Sequence, residues 1–291
     1  MPTKASFKIL FWNVKAQTGD KMNIAKVNYL EKLLLEEKPQ LVCLCEHRFI
    51  TQRVNRVIRG YTINDFDRFL IFFNLNNGSN EQTRITFTFD DNSRIVKSKL
   101  GTIWIKINKR FLKMFVFFST TDIKIIHFCH LLDMQNYSEF QRLAFAQKVA
   151  DNFNLNNHEK QSHVILGDFN MFPYESGMQE VLGFNSYSTL DHDNYFTKKF
   201  QGIERIKYYN PFWSLYGNDA KNYQPNGDVT RLIPNKVQPK HGGTFRKSRE
   251  QAILDQALIP IYCLDEYRAS KVFHEGFNYS DHAPILLEMN W

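Results

Sequence analysis

A chain of 291 residues is long enough for one large domain or two small ones, and with 43% hydrophobic residues it can bury a substantial core. Its four cysteines, Cys43, Cys45, Cys129 and Cys263, lie inside apolar stretches without the spaced Cys/His quartet of structural zinc, so they read as buried thiols of a reducing compartment. The net charge of +7 tilts the chain towards an anionic partner, nucleic acid or an anionic lipid surface. No apolar run approaches the about 20 residues that span a bilayer, and the N-terminus lacks the apolar core and cleavage site of a signal peptide. The sequence therefore predicts a soluble cytoplasmic protein, bacterial in the style of its loops.

The chain opens on a strand over 7–12 that stops at Asn13. A helix follows, with Asp20 as its cap and Ile24, Val27, Leu30, Leu33 and Leu34 as its apolar stripe, and Pro39 closes it. The short apolar run 41–45 is a buried strand delivering Glu46, which makes the first 46 residues a β-α-β unit. Strands are then expected over 69–73, 84–89, 102–107, 113–118 and 123–129, with turn signals at 76–79 and 90–93. A second helix is expected over 138–153, its face formed by Phe140, Leu143, Ala144, Ala146, Val149 and Ala150. Strands over 164–166, 252–259 and 283–289 complete the pattern. Consecutive strands without crossover helices imply antiparallel pairing, so two sheets with helices outside them fit better than one doubly wound sheet.

Residues 183–250 carry turn-formers, aromatics and basic residues with little periodicity, and the stretch is too long for an ordinary loop. Either it holds small elements of its own or it is an elaboration folded over a site. With no linker on either side, one domain over 1–291 with an insertion at about 183–250 is the expected organisation.

Polar residues collect at strand ends, where α/β proteins gather catalytic groups: Asn13, Glu46, His130, Asp168, Asn170, Asp255, Asp281 and His282. Taken singly, Asn13 reads as a turn residue, Glu46 as a surface carboxylate and His130 as a partly buried imidazole. Jointly they change meaning. Gly167-Asp168-Phe169-Asn170 and Ser280-Asp281-His282, each after an apolar run, combine carboxylate, amide and imidazole as metal-assisted attack of water on a phosphate ester requires.

In that order and setting, from residue 7 to residue 289 but outside most of 183–250, the sequence resembles the endonuclease/exonuclease/phosphatase superfamily. The resemblance implies the DNase-I-like fold, a four-layer α/β/β/α sandwich of two mixed, largely antiparallel sheets with outer helices. It also implies a divalent-cation-dependent hydrolase of phosphate esters. Glu46 is the hard oxygen ligand suited to Mg²⁺, with Mn²⁺ as the alternative, and Asn13 and Asp281 are expected beside the metal or its waters. The aspartate matching Asp168 orients or deprotonates the attacking water, and the amide matching Asn170 donates to the phosphate. His282 stabilises phosphoryl charge or exchanges a proton, with Asp255 fixing its tautomer.

His130 matches the second histidine that many nucleases, deadenylases and lipid phosphatases of the family carry, where abasic-site endonucleases typically have tyrosine. Its carboxylate partner is open between Asp67 and Glu81, and Gln256 replaces an aromatic residue often found after Asp255.

The substrate expected is DNA or RNA, hydrolysed by in-line attack of water on phosphorus. Trp213, Arg246 and Lys247 of the insertion and Arg48, with Arg53, Arg56 and Arg59 after it, are the candidate contacts to a polyanion; an aromatic mini-core and a solvated basic surface are the bland alternatives. Two other readings stay open: a phosphatase of a small phosphorylated molecule such as a nucleotide or inositol phosphate, and a catalytically silent binding subunit. No amphipathic membrane-docking helix is evident. A requirement for an activating protein partner is also left open, as is oligomeric state.

Overall fold

The structure is a computed structural model that describes residues 6–57, 61–66, 68–74, 87–90, 93–98, 101–108, 110–118, 122–153, 162–187, 196–200, 202–216, 243–247 and 250–291. Side chains alternate across a strand, and in the opening strand Ser6–Asn13 both alternating sets are apolar and buried from Ile9 to Trp12. Such a strand must be covered on both faces. Phe7, Ile9 and Phe11 face a core they share with Leu112, Ile126, Phe128 and Leu166 of a second sheet. Leu10 and Trp12 turn the other way, packing with Val42 and Leu44 against Val27, Leu30 and Leu33 of the helix Asn23–Glu37. On the far side, Cys129, Ile165 and Leu258 of the second sheet meet Ala146, Val149 and Ala150 of the helix Glu139–Phe153. The layers are therefore helix, sheet, sheet, helix. Each large aliphatic side chain buried this way contributes roughly 1.5–3 kcal/mol over leaving it in water.

The first sheet has six strands in the order Tyr267–Val272, Ile285–Asn290, Ser6–Asn13, Leu41–Cys45, Phe69–Phe73 and Thr62–Phe66. The second has nine: Ser186–Tyr187, Tyr208–Tyr209, Asp255–Pro260, His163–Asp168, Ile123–His130, Phe111–Phe117, Gly101–Asn108, Ser93–Ser98 and Phe87–Asp90. Only three of these pairings are parallel, one of them at the short Ser186–Tyr187 edge. The other two matter for the site, because Ser6–Asn13 beside Leu41–Cys45 and Ile123–His130 beside His163–Asp168 each end together. Gly167 makes the second approach feasible: a Cβ there would lie 2.1 Å from the Cys129 carbonyl oxygen.

Several expectations are corrected. Asp20 does not cap the first helix, whose N-cap is Met22; Asp20 instead accepts the Met22 N–H at 2.8 Å and pairs with the buried Lys26 ammonium at 2.6 Å. Ile24 is exposed, while Tyr29 and Lys26 are buried. The second helix buries Ala146, Val149 and Ala150 of its expected face, but Phe140 is 78% exposed, Ala144 is exposed and Arg142 is buried in addition. A buried ion pair between Arg142 and Glu175 at 2.8 Å turns that arginine inward. The run 252–259 is two strands, Glu250–Ala252 and Asp255–Pro260, because Ile253 and Leu254 leave the first to enter the second. The strands Thr62–Phe66 and Ser93–Ser98 were not marked by apolar alternation. Residues 84–86 and the turn signal at 76–79 lie outside the described residues.

Within 183–250, Tyr208–Tyr209 pairs with Asp255–Pro260 and Thr197–Phe200 forms a hairpin with Ile203–Ile206. The short helix Pro211–Tyr216 follows, and Phe245–Lys247 pairs with Glu250–Ala252. Residues 217–242 lie outside the described residues. Among the described residues, no helix is long and apolar enough to cross a membrane. All four cysteines are buried and free.

Candidate active site

Asn13 ends the first strand, and Glu46 follows the strand whose Cys45 is its partner. His130 and Asp168 face each other as the last residues of the parallel pair in the other sheet. Asp255 begins its strand, and because that strand is antiparallel, it too lies opposite Asp168. Asp281 and His282 are brought in by the last strand, which pairs Ile285 with Phe11; the Trp12 indole donates to the His282 carbonyl at 2.9 Å and the Ser280 hydroxyl to the Asn13 carbonyl at 3.1 Å. One edge of both sheets thus holds all eight residues.

Asp168 is the hub and is nearly inaccessible. Its Oδ2 accepts the Asn13 amide at 3.0 Å, and its Oδ1 accepts the Asn170 backbone N–H at 2.9 Å. The Asn170 amide donates to the Leu131 carbonyl at 3.2 Å, and the buried Arg142 donates to the Asn170 carbonyl at 3.1 Å. His282 Nε2 is 3.9 Å from Asp168 Oδ2, and its Nδ1 is 2.8 Å from Asp255 Oδ2. The Thr244 hydroxyl accepts the Asp255 N–H at 2.8 Å, fixing the backbone that carries that carboxylate.

Burial works to push the His282 imidazole down, but the combined pull of Asp255, Asp168 and Asp281 outweighs it and raises His282 above the ordinary histidine value. Burial raises the Asp255 carboxyl, against the pull of His282. The pair retains a proton at neutral pH, and we place it on the imidazole, backed by the carboxylate.

His130 behaves oppositely. Burial pushes it down to about 4, with Arg68 and Arg110 adding to that against the pull of Asp168. Its Nδ1 lies 2.7 Å from Arg68 Nη1, and a guanidinium can only donate, so Nδ1 is the acceptor and Nε2 carries the hydrogen. That Nε2 faces Glu46 Oε1 at 3.5 Å and Asp168 Oδ2 at 3.7 Å. The two carboxylate candidates for this position, Asp67 and Glu81, lie outside the described residues.

Glu46 is held in the left-handed region at φ 54°, where its N–H donates to the Arg68 carbonyl at 3.1 Å and its carbonyl accepts the Ala16 N–H at 2.9 Å. Lys15 and Asn170 are also left-handed, at φ 42° and 50°. Such conformations cost of order 1–3 kcal/mol each and persist where the surroundings fix them. Burial and the neighbouring Asp168 charge raise the Glu46 carboxyl, with Arg68 pulling the other way. A carboxylate held this close to another, facing an open cleft, is suited to a hard divalent cation. Asn13 and Asp281 are otherwise engaged: the Asn13 oxygen accepts the Lys15 N–H at 3.1 Å, and Asp281 forms an ion pair with the Lys15 ammonium.

The cleft above these groups encloses about 580 Å³ and includes Lys15, Arg68 and Arg110 in its lining. Sequence reasoning missed all three, since an isolated basic residue carries no pattern. The described lining does not include Arg48, Trp213 or Arg246. Arg48 is exposed and Trp213 is half-buried in the helix Pro211–Tyr216. Arg246 donates to the Phe277 carbonyl at 2.9 Å and lies over the Phe277 ring. Arg53 is exposed; the side chains of Arg56 and Lys247, and all of Arg59, lie outside the described residues. Gln256 is fully buried, donating to the Met171 carbonyl at 2.7 Å and accepting from Asn210 at 2.6 Å, so amides tie the floor that the sequence left open.

No family model matches the chain. No curated protein matches it. Solved structures do. D. rerio TDP2 complexed with single strand DNA product superposes at TM-score 0.56 with 16% identity, covering 99% of this chain and 100% of that one. The human Nocturnin catalytic domain with bound sulfate anion gives 0.53 and 17%, covering 98% and 94%. An endonuclease/exonuclease/phosphatase family protein from Bacteroides thetaiotaomicron gives 0.54 and 12%, covering 98% of each chain. The chain has the DNase-I-like fold that these structures share, as its motifs led us to expect.

Proposed function

We propose that the protein is a divalent-metal-dependent phosphodiesterase whose substrate is nucleic acid. The observation that carries this reading is the geometry on the cleft floor: Asp168 held by the Asn13 amide at 3.0 Å, and His282, held by Asp255 at 2.8 Å, standing 3.9 Å from it. Water attacks phosphorus in line with the departing oxygen, forming one P–O bond as the other breaks. Asp168, oriented by Asn13, positions the water and takes its proton. His282 and the Nε2–H of His130 donate to the phosphoryl oxygens, where negative charge builds in the transition state. Asn170 offers its remaining amide hydrogen to the same oxygens. The departing oxygen takes a proton from solvent.

Glu46 is the residue best placed to hold Mg²⁺ or Mn²⁺, with Asn13 lining the same cleft and Asp281 engaged by Lys15. When bound, such an ion neutralises phosphoryl charge and orients the ester. Lys15, Arg68 and Arg110 share the lining with Glu46, Asp133 and Asp168, so it is the chain's net charge of +7 that favours a polyanion over an isolated phosphate. The nuclease reading also draws support from the structural neighbour described with single strand DNA product.

The size of the cleft favours one competing substrate. About 580 Å³ also suits a mononucleotide or an inositol phosphate. Purified protein incubated with Mg²⁺ and either a polynucleotide or a panel of phosphomonoesters separates the two. Polymer cleavage that EDTA stops supports the nuclease; release of phosphate from monoesters alone replaces it with the phosphatase.

A further inference from the structure

One feature of the cleft is unused by the hydrolytic step. Beyond Asn170 the chain places two aromatic rings, Phe172 and Tyr174, with centroids 5.2 Å apart and planes within 3° of parallel. Phe172 lines the cleft beside Asn170 and His130, and Tyr174 is 56% exposed. Met134, also in the lining, is 39% exposed, so the cleft offers apolar surface among its charged and polar groups. Apolar rings left at the surface beside reactive groups ask for an occupant.

The loop bearing them is braced. Glu175 Oε1 accepts the Phe172 N–H at 2.8 Å, the Glu175 N–H donates to the Phe172 carbonyl at 3.0 Å, and Glu175 Oε2 is paired with Arg142 at 2.8 Å. The same Arg142 holds the Asn170 carbonyl. The rings are thereby fixed relative to the residue that faces the phosphate.

Building on the nuclease reading, we propose that Phe172, backed by Tyr174, is a stacking platform for an unpaired base next to the phosphate being cut, and that the substrate is single-stranded there. Three observations carry this. Asp168, Asn170 and His282 are each more than nine-tenths buried on the cleft floor, so the phosphate must arrive on a strand slim enough to enter. The cleft volume suits one or two nucleotides. Lys15, Arg68 and Arg110 stand in the same lining as Phe172, which places cations within reach of a backbone phosphate beside a π-face for its base, the pair of contacts that single-strand binders use. A base already stacked in a duplex has no free face to offer.

The test measures anisotropy of a labelled single-stranded oligonucleotide in EDTA, and its cleavage in Mg²⁺. The comparison strand has the same backbone with base-free sugars throughout. Stacking of about 1–3 kcal/mol per base corresponds to a preference of roughly 5- to 150-fold for the strand that carries bases. We expect wild type to show that preference, Phe172→Ala to lose it with the base-free strand unaffected, and Phe172→Trp to keep it. Equal loss on both strands in Phe172→Ala, or no preference in wild type, overturns the platform. Base-dependent binding through Phe172 without cleavage in Mg²⁺ leaves the platform standing and removes the nuclease reading.

Discussion

Arg68 Nη1 lies 2.7 Å from Nδ1 of His130, so among the described residues a guanidinium faces that ring nitrogen. This contact decides what the histidine can do. A carboxylate would favour the imidazolium, whereas Arg68 can only donate and favours the neutral ring with hydrogen on Nε2. His130 is then a hydrogen-bond donor to a phosphoryl oxygen, and the second charged donor is left to His282.

This relationship has a signed consequence for stability. The pKa of His130 is lowered on folding from its ordinary 6.5 to about 4. Between those values the unfolded chain binds the extra proton and the folded chain does not, so stability is lost as pH falls from about 6.5 towards 4. In urea titrations of metal-free protein, His130→Gln should show a shallower loss across that window than wild type. Identical slopes would show that His130 is not held neutral.

The Asp255–His282 pair makes a kinetic prediction. Asp255→Asn removes the main group opposing burial at His282, so the imidazole should lose its proton at neutral pH. A decrease of about 10²–10⁴-fold in kcat is expected, with substrate affinity measured in EDTA nearly unchanged. An NMR titration of His282 should show its pKa falling in the variant. A kcat within a few-fold of wild type would mean that the charge on His282 is not used.

Glu46 makes a prediction about metal. Removal of its charge by Glu46→Gln should weaken Mn²⁺ binding by at least about tenfold in calorimetry, because a hard cation depends on carboxylate oxygens. The raised Glu46 carboxyl also implies that binding weakens as pH falls, since the proton competes for the same oxygens. Unchanged Mn²⁺ affinity in the variant would move the site elsewhere.

Gly167 tests the packing beneath the site. A methyl group there would meet the Cys129 carbonyl, so the two parallel strands must separate just where His130 and Asp168 end them. Gly167→Ala should cost about 3 kcal/mol, at the upper end of ordinary overpacking, and equilibrium unfolding in urea measures it. A cost under 1 kcal/mol would show that the strands adjust freely.

Much of the site was legible because its residues terminate apolar runs. Glu46 after 41–45, Asp168 after 163–166 and His282 before 283–289 each stand where hydrophobic patterning stops. Asp255 was legible too, though it opens its strand, a difference that antiparallel pairing erases by setting it opposite Asp168. Lys15, Arg68 and Arg110 were not legible, since nothing local separates a cleft cation from a solvated one. What the second helix buries beyond Ala146, Val149 and Ala150 was hidden for a related reason. Its buried face includes Arg142, whose partner Glu175 is 33 residues away in the sequence, and apolar periodicity cannot register a paired charge.

The most direct test of the central claim is cleavage of circular single-stranded DNA, plasmid DNA and structured RNA by purified protein in Mg²⁺, in EDTA and with Asp168→Asn. We expect metal-dependent loss of at least one polymer, with the variant's rate down by at least about 10²-fold while its fold, followed by circular dichroism, is unchanged. Cleavage that survives in EDTA or in Asp168→Asn, or no cleavage of any polymer by wild type, would contradict the assignment.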